Sequence, residues 1–380
     1  MDNFTFHNPT KIIFGKNTIG NIGEEIKKAG YSRILLLAGS GSIKANGVYS
    51  QVQHSLFKHN IEVFEFWDVR PNPTLEHALL AKKYAADNKV EAILAVGGGS
   101  VIDEAKSIAV SVGIPNIWDV FEQKVVPQKA LPLFVILTLS ATGSEMNSFA
   151  VLSNEKELKK WSFGSPLVFP KVTIIDPAVQ MSLPKRQTAN GGVDSLSHLM
   201  ENYFMGIDAE VTIAVNESVQ RTIISQIDKL HSEPYDYNAR ANFAWCSTLA
   251  LNGVTSVSMS GGEWTTHGLE HALSAINPNV AHGEGLSVLF PAWITYVFKS
   301  KEFIFERWAK NVWNTNSVLD GVQAMKDKFK EWGSPITLKE IGFDKSDFSK
   351  IIKCVQDYGR LGRIIKLDTS DFYEILNLAY

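Results

Sequence analysis

Short apolar runs alternate with amphipathic stretches through the first half of the chain, and the alternation stops near residue 180. Arg33–Gly39 reads RILLLAG and ends in a Gly/Ser turn. Ile61–Val69 alternates apolar and polar residues before Pro71 and Pro73. Glu91–Gly97, Leu133–Leu139 and Val172–Asp176 are further strand-like runs. Between them, Ile19–Ala29 and Thr74–Asn88 carry apolar residues at helical spacing. Strands interleaved with helices predict a parallel sheet covered by helices on both faces. The first segment, Phe4–Phe14, is expected at the sheet edge, where Pro9 is tolerated. Beyond residue 180 only helical patterns remain, as in Asp194–Phe204, Glu210–Leu230, Asn238–Leu251 and Gly285–Lys299. Met181–Arg186, with its proline, marks the joint. The expected architecture is a Rossmann-like α/β domain over 1–180, suited to a dinucleotide, followed by an all-α domain over 181–380.

Bulk properties exclude several classes. A chain of 380 residues has ample length for two or three domains and a sizeable core. Its net charge of -3 gives no attraction to nucleic acid or an anionic membrane. The longest apolar run, Leu131–Leu139, contains a proline and falls far short of the roughly 20 residues that span a bilayer. The N-terminus lacks a basic segment followed by an apolar one, so no secretory signal is read. Two cysteines, Cys246 and Cys354, cannot build a disulfide framework, and a reducing cytoplasm is the natural expectation.

Three turns follow strand-like runs and could hold a phosphate-bearing ligand. Gly97-Gly98-Gly99-Ser100 precedes a helical stretch, so its backbone N–H groups and the positive helix end would favour phosphate. It matches neither GxGxxG nor a Walker loop, and a tight turn that binds nothing is an equal reading of those residues alone. Gly39-Ser40-Gly41-Ser42 follows another strand. Residues 38–48 contain no Asp or Glu to accept from a ribose 2′-OH, whereas Ser40, Ser42 and Lys44 can donate to a 2′-phosphate. NADP(H) is therefore favoured over NAD(H). Thr138–Glu145 reads TLSATGSE, whose hydroxyls could bond phosphates or an amide, although such clusters mark many loops.

Of nine histidines, His7, His54, His59, His77 and His231 fall on segments read as surface. The other four lie in the helical half. Asp194 and His198 are four residues apart, on one face of a helix, and can converge on one ion. Taken alone, that pair is more often a helix-terminal Asp above a half-buried His. His267 and His271 repeat the spacing, and His282 stands at or near the start of the next helical run, among glycines. One carboxylate and several imidazoles suit Fe(II), Zn(II) or Mn(II).

With these pieces assembled, the chain resembles the iron-containing (group III) alcohol dehydrogenase family. It is most similar to the branch of NADPH-dependent butanol dehydrogenases and broad-range aldehyde reductases. The resemblance runs from Asn8-Pro-Thr-Lys-Ile-Ile-Phe-Gly to the C-terminal helices. It includes Pro71-Asn-Pro, Gly97-Gly-Gly-Ser-Val-Ile-Asp103, Thr138-Leu-Ser-Ala-Thr-Gly-Ser-Glu, Asn190-Gly-Gly-Val-Asp-Ser-Leu-Ser-His198, and His267-Gly-Leu-Glu-His271 through His282-Gly. The resemblance implies an active site between the two domains, with Asp194, His198, His267 and His282 as metal ligands. It implies that His271 lies near the nicotinamide as a proton relay and is not a ligand. Gly97, Gly98, Gly99 and Ser100 would hold the pyrophosphate, while Asn72, Asp103, Thr138, Thr142 and Lys160 match cofactor-contacting positions. An Asp stands at the position of Ser40 in NAD-preferring relatives. The segment Asn277–His282 departs from the family's common composition, which bears on pocket shape.

The implied activity is hydride transfer between NADPH and short- to medium-chain aldehydes or alcohols, with the metal polarising the carbonyl or alkoxide oxygen. Fe(II) is the expected ion and a homodimer the expected assembly. Two relatives of similar architecture give alternatives: an NAD- and zinc-dependent glycerol dehydrogenase, and a dehydroquinate synthase-like lyase. The lyase needs several basic residues to grip a phosphorylated substrate, and Asp194–His282 is short of Lys and Arg. A binding protein on the same fold would be expected to lack one of the ligands.

Overall fold

The computed structural model describes residues 1–206, 208–359 and 361–380. Contacts divide these into two compact units. One comprises His7–Leu183 with Tyr235–Ala244. The other comprises Met1–Phe6, Pro184–Pro234 and Trp245–Tyr380.

The first unit is built on a parallel sheet of six strands. These are β1 (Lys11–Phe14), β2 (Arg33–Ala38), β3 (Glu62–Phe66), β4 (Ala92–Gly97), β5 (Leu133–Leu137) and β8 (Val172–Ile175), in the order β1-β8-β5-β4-β2-β3. Their side chains divide by the period of two that a pleated strand imposes. Leu35, Leu37, Ile93 and Ala95 enter one apolar cluster; Ile34, Leu36, Ala38, Leu94 and Val96 enter another. A strand buried on both faces has no polar side to show, which is why these runs read as continuously apolar. The helices of this unit are α1 (Ile22–Lys28), α2 (Ser42–Ala45), α3 (Val48–Lys58), α4 (Leu75–Asp87), α5 (Gly99–Val110) and α6 (Trp118–Phe121).

β1 is an edge strand, paired only with β8 among the described residues, as the sequence predicts. It is shorter than the segment Phe4–Phe14, and Pro9 lies before it. A hairpin not legible in the apolar pattern, β6 (Phe149–Asn154) with β7 (Lys159–Gly164), packs on α5.

No strand follows β8 among the described residues. The second unit is helical: α7 (Lys185–Tyr203), α8 (Glu210–Ser232), α10 (Thr265–Ile276), α11 (His282–Val297), α12 (Glu302–Trp313), α13 (Val318–Glu331), α14 (Phe348–Tyr358) and α15 (Thr369–Leu378), with α9 (Tyr237–Ala250) contributing its last turns. α7 packs on α8 and α11, and α11 packs also on α10 and α15. Gly283 is required at the α7–α11 crossing, because a Cβ there would stand 2.4 Å from the Asn190 carbonyl oxygen. No described helix is long and apolar enough to cross a membrane.

Candidate metal and dinucleotide sites

The strand order reverses at β2 and β4, which are neighbours although β3 separates them in sequence. In an open parallel sheet such a point leaves a crevice at the carboxyl ends of the strands. The turns singled out on sequence all sit at this end. Gly39 and Ser40 follow β2, whose Ala38 is paired with Val96 of β4. Gly97 ends β4, and Gly98 caps α5, with Gly99 and Ser100 in its first turn. The Thr138 N–H, just beyond β5, donates to the Gly97 carbonyl at 3.0 Å. Gly99 has a steric reason to be glycine: a Cβ there would lie 2.5 Å from both Cγ2 and Oγ1 of Thr142.

Asn72 follows β3 in the left-handed region at φ 53°. Its neighbour Pro73 accepts from the Ser153 N–H at 2.8 Å, and Ser153 is paired in register with the buried Lys160. The hairpin therefore ties the Asn72 loop and Lys160 together. Ser40 and Ser42 are exposed. Asp103 also has partners within the unit: its Oδ1 accepts from Ser144 Oγ at 2.6 Å and its Oδ2 from the Val151 N–H at 3.0 Å. It fastens α5 to β6 at the helix that the glycine turn begins.

The second unit gathers the four residues of the expected metal set on three helices. α7 carries Asp194 and His198, α10 carries His267, and α11 begins at His282. Asp194 Oδ1 lies 3.6 Å from His282 Nε2 and 3.6 Å from His198 Nδ1. The His267 ring stacks on His198 at 4.9 Å between centroids and approaches His282 at 5.3 Å. Donor atoms of Asp194, His267 and His282 lie within 4.8 Å of one another. Donors about 2.1 Å from one ion stand roughly 3–4 Å apart, so the cluster has nearly the right dimensions. His271, one turn beyond His267, is also buried, 5.6 Å from His282 and edge-on to Tyr358 at 5.9 Å.

The electrostatics suit a cation. Burial pushes His198 down to about 3, against the nearby Asp194 carboxylate, so the ring is neutral and its lone pair available at neutral pH. Asp194 Oδ1 and His198 Nδ1 are buried without a hydrogen-bond partner. Buried polar atoms are nearly always partnered, and an ion would partner these. A carboxylate oxygen and imidazole nitrogens are the donors that divalent iron, zinc and manganese share.

Two glutamates not singled out on sequence complete the surroundings. Glu201 Oε1 lies 2.8 Å from His267 Nδ1, and Glu270 Oε2 is hydrogen-bonded to His282 Nδ1. Both are fully buried. Burial pushes Glu201 up to about 7, although donors from Thr266, Trp264 and His267 work in the opposite direction. Trp264 takes a left-handed backbone, φ 62°, and aims its N–H at Glu201 Oε2, 2.5 Å away. Such a conformation costs a bulky residue about 1–3 kcal/mol and persists where surrounding structure imposes it. Asp194, His198 and Glu201 stand at i, i+4 and i+7, so their shared face was present in the sequence as a signal.

A parallel α/β unit with glycine turns at its strand-order reversal, and a helical unit with a buried Asp–His cluster, define the class of nicotinamide-linked metal-dependent oxidoreductases. The chain belongs to the iron-containing alcohol dehydrogenase family: its model matches residues 9–177, and that of the family's C-terminal part matches residues 188–380. The chain is 36% identical to NADH-dependent butanol dehydrogenase A of Clostridium acetobutylicum over all of both chains. It is 35% identical to the NADPH-dependent aldehyde reductase YqhD of Escherichia coli over 94% of each. The crystal structure of NADH-dependent butanol dehydrogenase A from Thermotoga maritima superposes with a TM-score of 0.97 at 47% identity, covering 100% of this chain and 99% of that one.

Proposed function

We propose that this protein interconverts short- to medium-chain aldehydes and alcohols with a nicotinamide dinucleotide, using a divalent metal held by Asp194, His198, His267 and His282. The observation that carries the proposal is the convergence of these four side chains from three helices, three of them buried and His282 half-buried, with Asp194 Oδ1 and His198 Nδ1 lacking other partners. The nicotinamide would supply the hydride, and the ion would supply Lewis acidity at the substrate oxygen. The protein's own contribution is binding and orientation. Gly97, Gly98, Gly99 and Ser100 offer backbone N–H groups and the α5 N-terminus to a pyrophosphate. Asn72, Asp103, Thr138, Thr142 and Lys160 would hold the rest of the dinucleotide. His271 would pass the hydroxyl proton of the substrate through its ring nitrogens. Fe(II) is the ion we favour.

For the dinucleotide we favour NADP(H). The turn after β2 exposes Ser40 and Ser42 and carries no carboxylate to repel a 2′-phosphate. The named relatives include both NADH- and NADPH-dependent enzymes, so the turn's own chemistry carries this choice. Neither alternative, the glycerol dehydrogenase nor the lyase, is favoured by the relatives, which are named as alcohol dehydrogenases and aldehyde reductases.

The test is oxidation of NADPH and NADH by butanal, with protein purified anaerobically and loaded with Fe(II), Zn(II) or Mn(II) in turn. Turnover should require a metal and favour NADPH in kcat/KM. His267→Ala should lose both bound metal and activity; full turnover in that variant, verified metal-free, would sink the assignment.

A further inference from the structure

Glu201 and Glu270 lie on the helices that carry the histidines, yet neither serves a histidine of its own helix. Glu201 belongs to α7 and bonds Nδ1 of His267 on α10; Glu270 belongs to α10 and bonds Nδ1 of His282 on α11. α7 and α10 thus each supply a donor to the cluster and the carboxylate that orients the donor on the next helix. We infer that Glu201 and Glu270 are positioning residues, which fix the tautomer of His267 and His282 so that each Nε2 lone pair faces Asp194, and that they set metal affinity in this way. The inference rests on the proposed metal site and deepens it.

The carboxylates are themselves held. Glu201 accepts from the Trp264 N–H at 2.5 Å, from Thr266 Oγ1, and from the His267 N–H at 3.4 Å, in addition to the ring. Glu270 accepts from Ser274 Oγ. A carboxylate placed this way leaves an imidazole one tautomer, with hydrogen on Nδ1 and the lone pair on Nε2. The 3.6 Å between His282 Nε2 and Asp194 Oδ1 is the geometric result. A carboxylate behind an imidazole also raises its basicity toward a metal. His198 has no such carboxylate among the described residues; its ring is set by the stack on His267.

The test compares wild type with Glu201→Gln, Glu270→Gln and Glu270→Ala. Co(II) and Zn(II) affinities are read by competition with a chromophoric chelator, ligand field by the Co(II) absorption spectrum, and NADPH affinity by fluorescence. Each glutamine variant should bind metal about 10–100-fold more weakly, with a shifted Co(II) spectrum and unchanged NADPH affinity. Glu270→Ala, which loses the hydrogen bond as well as the charge, should be weaker than Glu270→Gln. Wild-type affinity and spectrum in both glutamine variants would overturn the inference, even if metal-free stability falls. Should these variants fail to fold, Ser274→Ala and Thr266→Ala remove one donor to each carboxylate, and unchanged affinity and spectrum there would overturn it equally. A wild type that binds metal but reduces no aldehyde would overturn the proposed function while the affinity ratios still decide this inference. A wild type that binds no divalent metal would overturn both.

Discussion

At the scale of single residues, the cluster is balanced between burial and charge. His198 is pushed to about 3 from an ordinary 6.5 because burial outweighs the attraction of Asp194. A group whose folded value lies below its unfolded one binds more protons when unfolded, so stability falls with the pH between those two values. The metal-free protein should therefore lose stability progressively as pH drops below about 6.5. Denaturant titrations at several pH values should show a shallower slope for His198→Gln; an unchanged slope would mean that another group governs acid unfolding. Ser40 allows a second prediction. An Asp there would repel a 2′-phosphate and accept from a 2′-OH, so Ser40→Asp should lower the NADPH-to-NADH ratio of kcat/KM by at least about tenfold, the equivalent of 1.4 kcal/mol. A ratio that does not fall would remove this turn from cofactor choice. In the sequence, i, i+4 spacing marked helix faces for Asp194 with His198 and for His267 with His271, while the choice of His267 and His282 as ligands, with His271 set apart, came from the family resemblance. Glu201 left only its place on the Asp194–His198 face as a trace and Glu270 left none, because a glutamate on a helix ordinarily reads as a solvated position and their partners lie on other helices.

At the scale of elements, α5 and the β6–β7 hairpin form one piece. Lys106, fully buried on α5, places Nζ within 2.7–3.0 Å of Ser144 Oγ, the Asn147 carbonyl and Oδ1, and the Phe149 carbonyl. Asp103, one turn earlier, holds Ser144 and Val151. These bonds fix the far side of the glycine turn, since both residues lie on the helix that the turn begins. Lys106→Met would leave several buried acceptors without a donor and should cost about 2–4 kcal/mol in denaturant unfolding. Burial pushes Lys106 down to about 8 from 10.5, so the unfolded chain binds the extra proton between those values. Wild type should accordingly gain stability over the variant as pH rises through that window, and the difference should be flat below about 8. A difference that is flat through the window would deny Lys106 its lowered value. The strands β2, β4, β5 and β8 were legible because burial on both faces makes them almost uniformly apolar, and the edge strand β3 because its residues alternate. The hairpin was not: β7 reads KKWSFG, and its lysines and serine hide the pairing with β6 that only the packed α5 makes favourable.

At the scale of the whole molecule, the change of texture near residue 180 was legible, whereas the strand order was not. Order in a parallel sheet is set by which way each crossover turns, and no local pattern in β2, β3 or β4 records that β4 lies on the far side of β2 from β3. The compact units also ignore strict sequence order, since Tyr235–Ala244 joins the first and Met1–Phe6 the second. An ion bound by Asp194, His198, His267 and His282 would link α7, α10 and α11, and would bind the folded second unit alone, because unfolding scatters its donors. Anything that binds only the folded state stabilises it in proportion to the logarithm of its concentration. A divalent ion at about 100 times its Kd should add about 2.7 kcal/mol, or roughly 5–10 °C in the Tm of the unit that holds it. The increment should be absent when the same ion is added to metal-free His267→Ala or Asp194→Asn. Calorimetry of metal-free and metal-loaded protein would check this. A metal-induced rise that persists in both variants would place the stabilising ion elsewhere, and no rise in wild type would leave α7, α10 and α11 held together by their own side chains, with Arg186 bonding Glu284 across α7 and α11 as one such tie.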